Sequence, residues 1–198
     1  MGWSNAPNLL TKRVNAAGNE WTIRTDQNGQ RLIEQNPRSP RNKILILGDS
    51  LSFGEGVDIE DRFDVQMLSS LPGTAVVNTG TMGYGTDQEY VAFQNWKQLL
   101  ETGDTVLILI VLNESDYFDA LRRRFIGRAK PYVEKTVHSY ALHSPVIGAW
   151  ERWSDVSRVA LVVSRIMEPA GHENPDLSRS IEIIRLLLGR IREEVRLA

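Results

Sequence analysis

The sequence predicts an α/β protein: a parallel sheet covered by helices on both faces, in a three-layer α/β/α arrangement. Three observations carry this. Apolar runs of strand length, Ile44–Leu47, Ala75–Val77 and Thr105–Leu112, alternate with segments of helical spacing. The connections between them are short, which implies parallel pairing through right-handed crossovers. The third run is apolar nearly throughout, as a strand covered on both faces should be. At 198 residues the chain can hold one such domain with a sizeable core.

Residues 1–40 read as an N-terminal arm. The first twenty are polar and Asn-rich and read as a loose segment. Trp21–Arg24 and Arg31–Glu34 flank Asn28-Gly29, a hairpin-turn dipeptide, and predict a small hairpin. QNPRSPRN at 35–42 is a Pro-containing linker. The α/β domain is expected over 41–198. After its first strand, Phe63, Met67 and Leu71 stand at i, i+4 and i+8, which predicts a helix over 61–71 ended by Pro72-Gly73. Thr86 with Glu89 three residues later fits a capping box. It opens a helix to about Glu101, with Gly103 just past the end. Residues 116–150 carry aromatic and basic residues without a period and read as an excursion over the sheet's carboxyl edge. Asp155–Met167 reads as helical. Asn174-Pro175-Asp176 then starts a last helix, with Ile181, Ile184, Leu187, Leu188, Ile191 and Val195 on one face.

Composition narrows the function classes. Hydrophobic residues at 41% and charged residues at 24% are ordinary for a globular domain. A net charge of -2 gives no reason to expect nucleic acid or an anionic membrane as a partner. With no cysteine, disulfides, thiolate metal sites and Cys nucleophiles are excluded. The N-terminus has no apolar stretch of signal-peptide length, and the longest apolar run, Val106–Leu112, is too short to span a bilayer. The chain as written is therefore expected to carry no membrane segment and to be cytoplasmic; a leader or anchor upstream would make it exported or membrane-bound. Gly48, Gly54 and Gly56 form neither a Gly-Lys-Ser/Thr loop nor Gly-x-Gly-x-x-Gly, so no nucleotide is expected. His172 beside Glu168 and Glu173 reads as surface, as do Asp58, Glu60, Asp61 and the run Arg122–Arg124. No metal or organic cofactor is implied.

Ligands of open parallel sheets bind beyond the carboxyl ends of the strands. Three polar segments fall there: Asp49-Ser50 after the first strand, residues 78–86 (NTGTMGYGT) after the second, and Asn113-Glu114-Ser115-Asp116 after the third. A Ser on a strand-to-helix turn sits where backbone amides favour an anion. A Gly-rich loop can bring its own N–H close to a ligand, and Asn113 adds a neutral donor. One nucleophile with donors of this kind can hold the oxyanion of an acyl-transfer intermediate. Taken alone, Ser50 would be a turn residue capping the next segment and Asn113 an end-of-strand turn residue. The coincidence of three segments is what favours a site.

Those three segments carry a resemblance. GDSLSFGEGV resembles the first signature block of the SGNH, or GDSL-type, hydrolase superfamily, VVNTGTMGYGTDQEY its second, and VLNESD its third. The lead-in WTIRTDQNGQR is similar to that of bacterial members, some related to polysaccharide O-acyl transfer. The resemblance covers roughly residues 20–120 and implies a flavodoxin-like sheet of order 2-1-3. It implies Ser50 as nucleophile and first oxyanion donor through its N–H, Gly83 as second donor through its N–H, and Asn113 as third through its side chain. The third block departs from the family's Gly-x-Asn-Asp, reading Val111-Leu112-Asn113-Glu114. The substrate class implied is a small acyl ester or an acylated carbohydrate, with hydrolysis or transfer to a sugar hydroxyl as the outcome.

The family's base is a His with an Asp three residues earlier, placed after the final strands. His138, His143 and His172 all precede the last helix, and none has an Asp at that spacing. A three-strand sheet would also leave the apolar third strand as an exposed edge. Both observations lead to the expectation of a C-terminally incomplete domain that lacks its last strands. A Ser hydroxyl is a weak nucleophile without an adjacent base, so the alternative to an esterase is an impaired fragment or a carbohydrate-binding remnant.

Overall fold

A computed structural model describes residues 3–110, 124–125, 128–136, 140–145 and 177–197. The chain divides into two compact units. One comprises Ser4–Tyr84, Glu89–Ile110 and Ile191–Ala198; the other comprises Met1–Trp3, Gly85–Gln88 and Val111–Arg190. The protein is mixed α/β, with a parallel three-stranded sheet flanked by helices.

The first unit holds two sheets. β1 (Leu10–Val14) and β2 (Glu20–Arg24) form an antiparallel hairpin. β3 (Asn42–Leu47), β4 (Thr74–Asn78) and β5 (Thr105–Ile108) form the parallel sheet, in the order β4-β3-β5. Ile44 stands opposite Val76 on one side and Thr105 on the other. As the central strand, β3 buries Leu45, Ile46 and Leu47 in succession, because helix or loop covers each face. Between β3 and β4 run α1 (Ser50–Phe53) and α2 (Phe63–Ser69); α3 (Thr86–Trp96) and a single 3-10 turn, Lys97–Leu99, follow β4. Ile46 and Val76 pack with Val65 of α2 and with Ile33, and Phe63, Met67 and Leu68 close that core from the side. Phe63 and Met67 of the i, i+4 spacing are thus partly buried on this core, Leu71 falls past the helix, the fully buried residues of α2 are Asp64 and Val65, and the helix is two residues shorter at each end than expected.

The N-terminal segment differs from its expectation. Five residues of the stretch read as a loose arm form β1, and β1 rather than Arg31–Glu34 is the partner of β2. β1 escaped the sequence reading because four of its five residues are exposed, so it carries no apolar alternation. Backbone pairing holds it, and the turn is closed by Asn15 Oδ1, which accepts from the N–H groups of Ala17 and Asn19 at 3.0 Å each. The Asn28-Gly29 turn does form: Asp26 Oδ1 accepts from Asn28 and Gln30 N–H. Beyond it only an isolated bridge, Thr25 to Arg31, remains of the expected hairpin.

In the second unit, β8 (Tyr132–Lys135) and β9 (Tyr140–His143) form an antiparallel pair, and β6 (Arg124–Phe125) pairs with β7 (Arg128–Ala129). The Tyr132 and His143 rings stack at 5.0 Å. Asp87 Oδ1 and Lys130 Nζ lie 2.9 Å apart with both side chains fully buried. α4 (Leu177–Leu197) contributes residues to both units, and its buried line is Ile183, Ile184, Leu187 and Ile191. Ile183 was not on the face read from the sequence. The helix expected over 155–167 and the start at 174–176 lie outside the described residues.

Glu194 of α4 joins α3 inside the first unit. Its carboxylate accepts from Gln94 Nε2 at 2.8 Å and Tyr90 Oη at 3.3 Å, and pairs with Lys97 Nζ at 2.5 Å. Those partners recur one and two turns apart, along one face of α3 and its 3-10 extension. Partial burial raises the Glu194 pKa, but Lys97, Gln94 and Tyr90 outweigh it and hold the carboxyl below its ordinary 4.5. A carboxylate whose folded pKa is depressed contributes stability that is fully present above the unfolded value and is lost as pH falls through the folded one. Glu194→Gln is therefore expected to lower the unfolding midpoint at pH 7 and to flatten its fall below about pH 4.5. Thermal melts of both proteins from pH 3 to 7 check this; parallel curves would refute it.

Candidate functional site

β3 delivers the chain into the candidate site. Gly48 follows the strand, and Asp49 caps the next helix by accepting from Leu51 N–H at 2.8 Å through Oδ1. Ser50 is the first residue of α1, and Gly54 ends the helix after one turn, in the left-handed conformation that suits glycine (φ +76°), its N–H donating to Leu51 O. Ser50 is half-buried. Among the described residues neither its Oγ nor its N–H makes a hydrogen bond.

Ser52 answers differently. It is 0% exposed, and its Oγ donates to Asp49 O at 3.0 Å. It is also wedged between glycines: a Cβ on Gly48 would lie 2.3 Å from Ser52 Oγ, and one on Gly80 would lie 2.7 Å from it. Of the two hydroxyls in GDSLSFGEG, only the one on Ser50 is accessible.

The second loop leaves β4 and lies directly against this turn. Thr79 N–H and Oγ1 both donate to Ile46 O, at 2.9 and 2.7 Å. Thr81 N–H donates to Gly48 O at 3.2 Å. Gly80 approaches α1 so closely that a Cβ would stand 2.5 Å from Phe53 N. Close approach of two backbones is what Gly80 supplies. Gly83 does sit at positive φ (+72°), and its N–H donates to no described residue. The two N–H groups expected as oxyanion donors, on Ser50 and Gly83, are thus both uncommitted. Asn113, the third expected donor, lies outside the described residues.

Beneath these loops runs a buried polar network that the sequence reading missed. The Asp64 carboxylate pairs with the Arg62 guanidinium and accepts from Asn78 Nδ2 at 2.7 Å. Asn78 Nδ2 also donates to Ser52 O at 2.7 Å, and Asn78 Oδ1 accepts from Gly80 N–H at 2.9 Å. Arg62 Nη1 reaches Leu32 O at 3.2 Å. An Arg-x-Asp directly before an apolar helix face was the available signal; the apolar spacing of α2 masked it.

The hairpin flanks the same loops. Trp21 and Ile23 pack on Phe53 of α1, with Leu9 and Met82 at the side. The Arg31 guanidinium lies 4.6 Å over the Phe53 ring. Burial, then the neighbouring Arg62, pushes the Arg31 pKa down to about 10, so it stays charged at neutral pH. Arg13 Nη1 donates to Glu55 Oε1 at 3.0 Å and lies 3.5 Å from Met82 Sδ. Asp58, read as bare surface, accepts from Thr22 N–H at 2.9 Å, and the Thr22 and Ile59 amides hold its carboxyl below the ordinary range.

Among the described residues of the first unit, Tyr84 offers Ser50 no base. Burial raises the Tyr84 phenol to about 12, against a smaller opposing effect of Thr81, so it is neutral at any working pH. His143 Nε2 lies 3.4 Å from Glu134 in the β8–β9 pair of the second unit. His138 and His172 lie outside the described residues. Among the described residues no group of three His, Asp or Glu could hold a metal, and no helix is long and apolar enough to cross a membrane.

Because the Gly80 clash is with backbone, it cannot be relieved by a rotamer change. Gly80→Ala is expected to cost about 1–3 kcal/mol, the range of overpacked sites. Denaturant midpoints with an unchanged slope would show it, and an unchanged midpoint would refute the close contact.

Comparison with known proteins adds no assignment: no protein-family model matches the chain, and no curated protein matches it.

Proposed function

We propose that the chain carries the nucleophile and oxyanion frame of an SGNH-type serine esterase acting on small O-acyl esters, with acylated carbohydrate as the substrate class. The reading adopts the flavodoxin-like, three-layer α/β/α fold of that superfamily. It draws on the three sequence blocks and on the sheet order β4-β3-β5. One observation carries it: the accessible hydroxyl of the GDS turn belongs to Ser50, and both backbone N–H groups the resemblance assigns to the oxyanion are uncommitted.

In this mechanism Ser50 Oγ attacks the ester carbonyl and gives its proton to a base. The Ser50 and Gly83 N–H groups stabilise the oxyanion, the alcohol leaves with a proton, and water cleaves the acyl-serine. Each oxyanion donor of this kind is worth about 10²–10³ in turnover. A sugar hydroxyl in place of water would give acyl transfer.

A second reading keeps the frame and loses the chemistry. It is favoured by the sequence, where no His has an Asp three residues earlier. Hydrolysis of p-nitrophenyl acetate by the 198-residue chain and by its Ser50→Ala variant separates the two. An esterase loses about four orders of magnitude or more on losing its nucleophile. Equal rates for the two proteins would overturn the esterase reading in favour of the binding remnant.

A further inference from the structure

The uncommitted Gly83 N–H is useful only if its loop is held still relative to Ser50, and the two are on different loops. The Gly80 peptide, three residues before Gly83, is gripped from both sides. Its N–H donates to Asn78 Oδ1 at 2.9 Å, and its carbonyl accepts from Asn5 Nδ2 at 3.1 Å. Asn5 Nδ2 also donates to Thr81 Oγ1 at 3.2 Å.

The two asparagines reach Gly80 by different routes. Asn78 is 1% exposed, and its Nδ2 spans Ser52 O and the Asp64 carboxylate. Its amide cannot turn over. Reversed, Oδ1 would face those two acceptors, and the amide would aim its protons at the Gly80 N–H. Asn78 therefore joins the nucleophile turn to the second loop in one fixed orientation. Asn5 is half-buried and belongs to neither apolar cluster of the unit. It is set in place by the Asn28-Gly29 turn, where a Cβ on Gly29 would come within 2.4 Å of Asn5 O, and by Asn8 N–H donating to Asp26 O at 2.7 Å.

We propose that Asn5 and Asn78 are positioning residues of the Ser50 site: they grip the Gly80 peptide and so set where the Gly83 N–H stands relative to the Ser50 turn. The role rests on the esterase reading of Ser50 and Gly83. It makes the N-terminal segment, through Asn5, part of the catalytic frame.

The test uses the full chain and phenylboronic acid. A bond forms between Ser50 Oγ and boron, the hydroxyl proton leaves to solvent, and a boronate oxygen takes the oxyanion position. Boron NMR reads the tetrahedral adduct, and titration gives its affinity without any need for turnover. Asn5→Ala and Asn78→Ser are each expected to weaken the adduct about 10–100-fold, as misplacement near 1 Å does. Lys12→Ala, on the exposed face of β1, should leave it unchanged. Asn5→Ala should keep the wild-type melting temperature, which separates positioning from a loss of folded protein; if Asn78→Ser does not fold, Asn5→Ala decides alone. A folded variant with wild-type affinity removes that asparagine from the role while the esterase reading stands. A wild-type chain that gives no adduct, or one that survives Ser50→Ala, overturns the esterase reading and the positioning role together.

Discussion

The Asp64 carboxylate is the point on which the first unit turns. It sits fully buried and accepts from the Arg62 guanidinium, the Asn78 amide and the Val65 N–H. A buried ion pair is not by itself a source of stability, since desolvation cancels much of the attraction. Its value here is directional. Through Arg62 the carboxylate ties α2 to Leu32, and through Asn78 it ties α2 to the end of β4, to Ser52 of α1 and to Gly80. An apolar core of Ile46, Val65 and Val76 would tolerate small slides among these elements. A hydrogen-bonded network fully buried among them would not, because each displaced partner leaves a polar group without water.

That constraint explains why the hairpin packs where it does. Burial first, and then the neighbouring Arg62 guanidinium, lower the pKa of Arg31, and Asp64, Glu55 and Asp58 offset part of the effect. Arg31 is 2% exposed, and it meets the π face of Phe53, which supplies electrostatic compensation that burial would otherwise deny. Trp21 and Ile23 complete the cover over Phe53. The hairpin is therefore packed against the Ser50 turn by the apolar contacts of Trp21 and Ile23 with Phe53, and Arg13 extends the contact to Glu55 and Met82.

The sheet and its helices were legible because their signal is apolar and periodic: β3 and β4 bury their apolar runs, and Phe63 and Met67 of α2 pack, partly buried, on the core beneath them. β1 was illegible for the opposite reason. Its residues are exposed, and its pairing is backbone hydrogen bonding, which leaves no mark on side-chain composition. Ser50 was visible as a small polar residue where an apolar strand ends, and Gly83 through the motif around it. The supports were not. Asn5 reaches Gly80 across seventy-five positions of sequence, and nothing local distinguishes it from the Asn8, Asn15 and Asn19 that follow. Asp64 was not singled out within the helix expected over 61–71, yet its carboxylate faces inward.

Frame and base are separable parts of a serine site, and they draw on different physics. The frame consists of backbone donors whose orientation is set before substrate arrives, so it stabilises a developing oxyanion without reorganising at the moment of reaction. In the proposed site that preorganisation would come from Gly80 abutting Phe53, from Thr81 bonded to Gly48, and from the asparagine grip on Gly80. Proton removal from Ser50 requires a group with a pKa near the working pH, and the nearest aromatic hydroxyl along the second loop, Tyr84, is pushed the wrong way. On the proposed esterase reading, then, the frame is held by the buried Asp64 network and the N-terminal segment, while turnover is the work of a separate base.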